Sequence, residues 1–410
     1  MKKIFLIRFL ITIILVSVFG CTTPYSYQTN GDEDVIVIEA TITNEIKNQE
    51  VKISRSYKLD DNKSKFETEA VVYVTDDLGN KYEFDQSDES YKSVNTFQAN
   101  PDRQYQLHVL TKDGRSYISS TETLPQQTEI ESLNATAITK NGQLGVEITL
   151  NSTDPTNKSK YYRYEYEETY KVVAPKWLNE KAVVQLFAPG SIPRGKVTFV
   201  PRTEEARVCY LSQKSNELLL TSTNDMSEDK VINFPVRFLS SKDPIIRNRY
   251  SILVKQYIQT LAANTFYNTL KEISNSGSLL SQTQPGFFYG NIKSIDNPGE
   301  KVIGYFGVSS YSEKRLFFNF TDLLPGQPSP KYQYECPAPI PESESSDYIF
   351  TYCFSKTNPD CQGDQILNLL ESGVKVYFPT EAPGSYILYP VECGDCTSFS
   401  SNIKPSFWID

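Results

Sequence analysis

Alternation of apolar and polar residues with a period of two is the tightest constraint this sequence places on its fold. Val35-Ile36-Val37-Ile38-Glu39-Ala40-Thr41-Ile42 is followed by Val51-Lys52-Ile53-Ser54 and Ala70-Val71-Val72-Tyr73-Val74. Lys81-Tyr82-Glu83-Phe84, Tyr105-Gln106-Leu107-His108-Val109-Leu110 and Ser116-Tyr117-Ile118-Ser119 continue the pattern. Short runs rich in β-branched and aromatic residues, bounded by Gly, Asp and Asn, read as strands. Asp113-Gly114 and the stretch Asp76-Asp77-Leu78-Gly79-Asn80 supply turns that need positive φ. Residues 35–127 are therefore expected to form a β-sandwich of immunoglobulin or transthyretin type, closed by Pro125.

Strand logic continues beyond it. Asn141-Gly142 joins Ala135-Thr136-Ala137-Ile138-Thr139 to Val146-Glu147-Ile148-Thr149-Leu150 as a second hairpin. Tyr161 to Tyr170 alternates aromatic and charged residues with period two from Tyr162 onward, which predicts one aromatic core-facing row. Arg249 to Tyr257 is another long strand. Ala263, Phe266, Leu270 and Ile273 recur at spacings of three and four, predicting a helix near 260–274, and a weaker helix is expected at Asp364–Glu371, ended by Gly373. The fold class is mainly β: the sandwich, a larger β-rich domain over 128–325 with one or two helices, and a cysteine-bearing C-terminal region over 326–410.

The first residues set the compartment. Lys2, Lys3 and Arg8 precede the apolar run Phe9 to Val16 and then Val18-Phe19-Gly20-Cys21, the layout of a lipoprotein signal peptide over 1–20 with Cys21 as the lipidation site. A spanning helix needs ~20 apolar residues, and this run is shorter. Several acyl chains, such as palmitate, on one cysteine give lasting membrane attachment. Residues 21–34 then read as a polar, lipidated tether. Without the three leader cations the formal charge falls from −9 to −12. An acidic body with no Lys/Arg cluster argues against nucleic acid as a partner.

Six cysteines remain: Cys209, Cys336, Cys353, Cys361, Cys393 and Cys396. In an exported protein an even number is expected to form disulfides, with 15 possible connectivities. Cys393-Gly394-Asp395-Cys396 also has the spacing of half a zinc site or a redox pair. The companions of a zinc site and the βαβ context of a redox motif are both missing from the sequence. The chain has one histidine, His108, which the strand alternation places opposite the buried set and predicts to be exposed. No nucleophile elbow, phosphate loop, dinucleotide fingerprint or metal-ligating motif is present, so no enzyme, metal or cofactor is expected. Only a mechanism built on carboxylates alone survives that test. Phe287, Phe288 and Tyr289, set between Gly286 and Gly290, are candidate ligand-contact aromatics, or else pin their loop to the sheet.

These blocks resemble a known family. The lipidated cysteine, Val35 to Asn44, Val51 to Ser56, Val74 to Asn80 and Tyr105-Gln106-Leu107 with Asp113 to Tyr117 are similar to Bacteroidota lipoproteins grouped as domain of unknown function 4249. So are Arg249 to Tyr257, Gly290-Asn291-Ile292 and Val302 to Ser310 with Lys314-Arg315. The resemblance implies an outer-membrane lipoprotein, on the periplasmic face or the cell surface, encoded beside TonB-dependent receptors. It supplies no catalytic or binding residues. The expected function is a non-enzymatic binding or accessory partner of a TonB-dependent β-barrel transporter in nutrient uptake; the other reading is a structural or adhesive surface lipoprotein with no transporter partner.

Overall fold

A computed structural model describes residues 35–56, 65–191, 195–275, 289–336, 364–379 and 386–410. The leader, Cys21, the tether, Phe287, Phe288, Cys353 and Cys361 lie outside the described residues. The protein is mainly β, with sandwich-like sheets and few helices.

The period-two runs become β1 (Ile36–Thr43), β2 (Glu50–Arg55), β3 (Lys65–Phe66), β4 (Val71–Asp76) and β5 (Lys81–Ser87). They continue through β6 (Ser90–Ser93), β7 (Gln104–Leu110), β8 (Ser116–Ser119) and β9 (Glu122–Thr123). Alternation decides which side is dry: in β7, Tyr105, Leu107 and Val109 are buried, while Gln106 and His108 are half-buried. Gly79 and Gly114 take positive φ in the turns that close the β4–β5 and β7–β8 hairpins.

The second set comprises β10 (Ile130–Lys140), β11 (Gln143–Thr153), β12 (Tyr161–Val173), β13 (Glu180–Leu186), β14 (Gly195–Pro201) and β15 (Val208–Lys214). It goes on with β16 (Leu219–Ser222), β17 (Lys230–Ser240), β18 (Arg249–Gln259), α1 (Leu261–Asn275), β19 (Ile292–Ser294) and β20 (Val302–Asn319). Asn141 and Gly142, both at positive φ, turn β10 into β11 as expected. The chain ends with α2 (Phe320–Leu323), α3 (Asp364–Glu371), β21 (Lys375–Pro379), β22 (Tyr386–Pro390) and α4 (Val391–Gly394). Leu367 of α3 packs against Val184, Val197, Tyr377 and Leu388, so the β13–β14 and β21–β22 hairpins share a small satellite core.

The long strand β20 joins the two sets. Its first half pairs parallel with β1, from Ile36↔Val302 to Thr43↔Ser309. Its second half pairs antiparallel with β18, from Ile258↔Ser310 to Arg249↔Asn319. One sheet thus runs β15-β12-β18-β20-β1-β2-β6-β5-β4-β7-β8-β19 among the described residues. Residues 35–127 do not complete their sheet alone, because β19 pairs with β8 and β20 with β1. Ile36, Ile38, Ile42, Val51, Ile53, Leu107, Tyr117 and Phe306 form the first core. The second lies between the separate sheet β10-β11-β17 and the β12-β18-β20 part of the large sheet. Each fully buried Ile or Val contributes about 1.5–3 kcal/mol of transfer free energy.

The aromatic row of β12 forms as predicted, with Tyr162, Tyr164, Tyr166 and Tyr170 buried. One position departs from it: Glu168 shares that face and is only 2% exposed. A buried carboxylate costs free energy unless it is paired. Glu168 accepts from Arg237 Nε at 2.8 Å, Tyr250 Oη at 2.6 Å and Gln213 Nε2 at 2.8 Å. On the opposite face, Arg163 lies 4.3 Å from the Tyr257 ring centroid and 4.9 Å from that of Tyr267, so it clamps α1 to the sheet.

Two glycines govern the approach of β20 to its neighbours. Gly304 has φ +118°, and a Cβ there would lie 1.9 Å from Ile38 O of β1; a Cβ on Gly290 would lie 1.5 Å from Gly304 O. Gly304→Ala is expected to cost at least about 3 kcal/mol in urea unfolding. Gly299→Ala, with only Asn297 Oδ1 at 3.5 Å, is the control expected to stay near wild type. Equal midpoints for the two variants would contradict this account of the β1–β20 contact.

Asp154, between β11 and β12, is buried and holds its loop by accepting from the backbone N–H groups of Thr156, Lys158 and Ser159 at 2.8, 3.0 and 2.7 Å. Burial pushes its pKa up, but these bonds and the Thr156 hydroxyl outweigh burial and hold it at about 2. A depressed carboxylate stabilises the fold fully above its unfolded value and loses that contribution as pH falls toward 2. Asp154→Asn should lower stability at pH 7 by about 2 kcal/mol, and the gap from wild type should close on acid titration. A gap that stays constant down to pH 2 would refute the assignment.

Candidate functional site

The antiparallel order of β12, β18 and β20 brings the end of β12 at Val173, the start of β18 at Arg249 and the end of β20 at Asn319 to one edge of the sheet. Two adjoining cavities of about 410 and 420 Å³ open there and share Val173, Arg247 and Asn248. Ala174, Pro175, Trp177 and Arg207 complete the first; Lys171, Arg249, Asn319, Phe320, Thr321 and Asp410 complete the second.

Local rules place each side chain. Asp243 caps a 3-10 turn at Pro244–Ile246, its Oδ1 accepting from Ile245 N at 3.2 Å. The buried Ile246 anchors that turn, so Arg247 and Asn248 emerge at the cleft. Asn248 Nδ2 donates to Lys171 O at 3.1 Å, tying the turn to β12. Arg247 Nη1 donates to the Pro330 carbonyl. Arg249 Nη1 donates to Asn319 Oδ1 at 3.1 Å and its guanidinium stacks 5.2 Å from the Phe317 centroid. Arg207 stacks more loosely on Trp177, at 5.9 Å. The indole N–H of Trp177 is buried and has no acceptor among the described residues.

Charge sets this cleft apart from the rest of an acidic chain. Among the described residues, Arg207, Arg247 and Arg249 pair with no carboxylate, and the one acid in the lining, Asp410, already pairs with Lys404 and Lys171 at 2.5 and 3.9 Å. The sequence shows no Lys/Arg cluster; the fold assembles one from three separate segments. The available signal was Arg247-Asn248-Arg249, two cations beside an Asn at the mouth of a strand.

The cysteines hold the walls in place. Cys209 bonds Cys396 and Cys336 bonds Cys393, so the Cys393-Gly394-Asp395-Cys396 cysteines are spent on two distant partners, not on each other. Ala174 N donates to Arg207 O at 2.8 Å and Lys176 N to Cys393 O at 2.8 Å, so the Trp177 wall lies between β15 and the stapled segment. Arg202 Nη1 reaches Asp395 Oδ2 at 2.9 Å across the same junction.

The other expected site residues lie elsewhere. Tyr289 is 60% exposed at the start of β20's territory. The cleft sits fifteen residues further along β20 than Gly304, roughly 50 Å of strand, so the two do not meet. Asn291 fixes the entry of that segment: it accepts from Phe306 N and donates to Phe306 O, both at 2.8 Å, and also donates to Ser120 Oγ and Glu122 Oε1 at 2.9 Å. His108 is half-buried and not exposed, because Tyr73 of the neighbouring strand stacks on it at 4.7 Å. Burial lowers its pKa, and its Nε2 lies 3.1 Å from Thr75 Oγ1. Removing the long staple with Cys209→Ser/Cys396→Ser should cost about 3 kcal/mol and speed proteolysis of the C-terminal segment. An unchanged melting temperature and cleavage rate would show that the staple does not hold the wall.

No curated protein matches this sequence. Among solved structures, one described as "Biofilm associated protein - BSP domain" aligns with 7% identity and a TM-score of 0.14 over 71% of this chain. The chain spans 60% of that one, and so weak a likeness carries no argument. The family described as domain of unknown function (DUF4249) matches residues 22–315, more than two thirds of the chain, and the protein belongs to that family.

Proposed function

We propose that the protein is a non-enzymatic lipoprotein of the outer membrane, anchored through Cys21, that binds a ligand and works beside a TonB-dependent β-barrel transporter in nutrient uptake. The observation that carries the binding role is the preformed cleft at the sheet edge, whose wall offers guanidinium, amide and indole groups. Groups of this kind hold ligands, and sites of a few hundred Å³ suit small molecules. The anchor rests on the leader pattern and on the cysteine in the first mature position.

Metabolic labelling with palmitate should mark the wild-type protein and spare Cys21→Ser, which should leave the membrane fraction. Affinity capture of the lipidated protein should co-purify a β-barrel transporter at near-stoichiometric yield. Palmitate labelling without any transporter would favour the structural or adhesive role; an unlabelled wild type would defeat the anchor itself.

A further inference from the structure

The chemistry of the cleft says more than that something binds there. Arginine presents a rigid, planar fork of donors that matches the geometry of carboxylate and phosphate, and it stays charged throughout the accessible pH range. Three arginines gathered at one end of the sheet in a protein of formal charge −9 favour an anion between them; Arg247 and Arg249 make no ion pair among the described residues, and only Glu205, two residues away, acts on Arg207. Elsewhere in the chain, buried or half-buried arginines are matched: Arg55 with Glu67, Arg163 with Glu165, Arg202 with Asp395 and Arg237 with Glu168. Arg315 is held instead by the Ser251 hydroxyl and the Phe407 ring, so the cleft is set apart by gathering several such arginines at one place. Its hydrogen bonds also position the guanidiniums without neutralising them, since Arg247 is held by the Pro330 carbonyl and Arg249 by Ile409 O at 2.5 Å and by Asn319. Beside the cations, Trp177 and Pro175 supply a small apolar face in a mostly polar lining, on which the body of an organic oxyanion can rest.

We infer that the cleft is a binding site for a small organic oxyanion, a carboxylate or a phosphate ester, with Arg247 as the shared anchor and Arg207 closing the side formed by Trp177. Arg249 adds to the positive potential from the second cavity, where Asp410 is already shared by Lys171 and Lys404. This deepens the reading of the protein as a ligand-binding partner and rests on it.

Titration calorimetry on the full lipidated protein in detergent, disulfides intact, tests the idea with D-glucuronate, glucose 6-phosphate and uncharged glucose. At least one of the two anions should saturate a single site and weaken with added salt, while glucose gives no heat; which anion binds tells carboxylate from phosphate. Arg247→Ala should weaken binding by tenfold or more, and Arg207→Ala, at an exposed position that the fold does not need, should also weaken it. Glucose binding as tightly as the anions, silence from both anions up to ~10 mM, or full affinity in both variants would overturn the inference. Transporter capture measured on the same preparation separates the two ideas. Capture without anion binding defeats the ligand class alone, and anion binding without capture defeats the transporter role alone.

Discussion

The rest of the structure depends on β20 lying parallel to β1 with its first half and antiparallel to β18 with its second. Parallel neighbours cannot be joined by a tight turn, so a long stretch of chain has to intervene before this contact can form. Everything from β2 to β19 is folded within that interval. The contact is also close: Gly304 and Gly290 let three backbones approach where any Cβ would collide. Because both cores have β20 as a wall, displacing it would open each of them.

Polar groups also occur inside the second sandwich. Glu168, Tyr250 and Gln213 come from β12, β18 and β15 of one sheet and Arg237 from β17 of the other, so the Arg237–Glu168 bond ties the two sheets together. A half-satisfied set would be costly, so the network penalises any register of β12 that moves Glu168 off this partner set. Arg163 does the equivalent work on the other face, where two tyrosine rings fix α1. The edge of the sheet where β12, β18 and β20 end is therefore a rigid platform. The cleft is built on strand ends and a capped turn, with two disulfides behind one wall, and such support holds its side chains in fixed positions.

Much of this architecture was legible in the residues themselves. The β7 alternation, the Asn141-Gly142 hairpin, the tyrosine row of β12 and the helix through Ala263 and Phe266 all follow from spacing and turn chemistry, because those signals are local. Local signals fail where partners are remote. His108 has the pattern of an exposed position, yet a ring on the adjacent strand covers it. Glu168 has the pattern of a solvent residue until Arg237 arrives from another sheet. The family blocks around Gly290 and Gly304 were visible, but not the reason for glycine there, which is a backbone approach between β1, β20 and the segment entering β19.

By itself the sequence determined the β class, the hairpins, the two longer helices and the expectation that cysteines would staple the C-terminal region, since each depends on neighbours a few residues apart or on composition. Only the tertiary structure decided that one strand serves two sandwiches, that Cys393 and Cys396 take different partners, and that Lys171, Arg207, Arg247 and Arg249 share a cleft. The physical reason is that charge density, burial and disulfide reach are properties of distance in space, and no spacing along the chain encodes them.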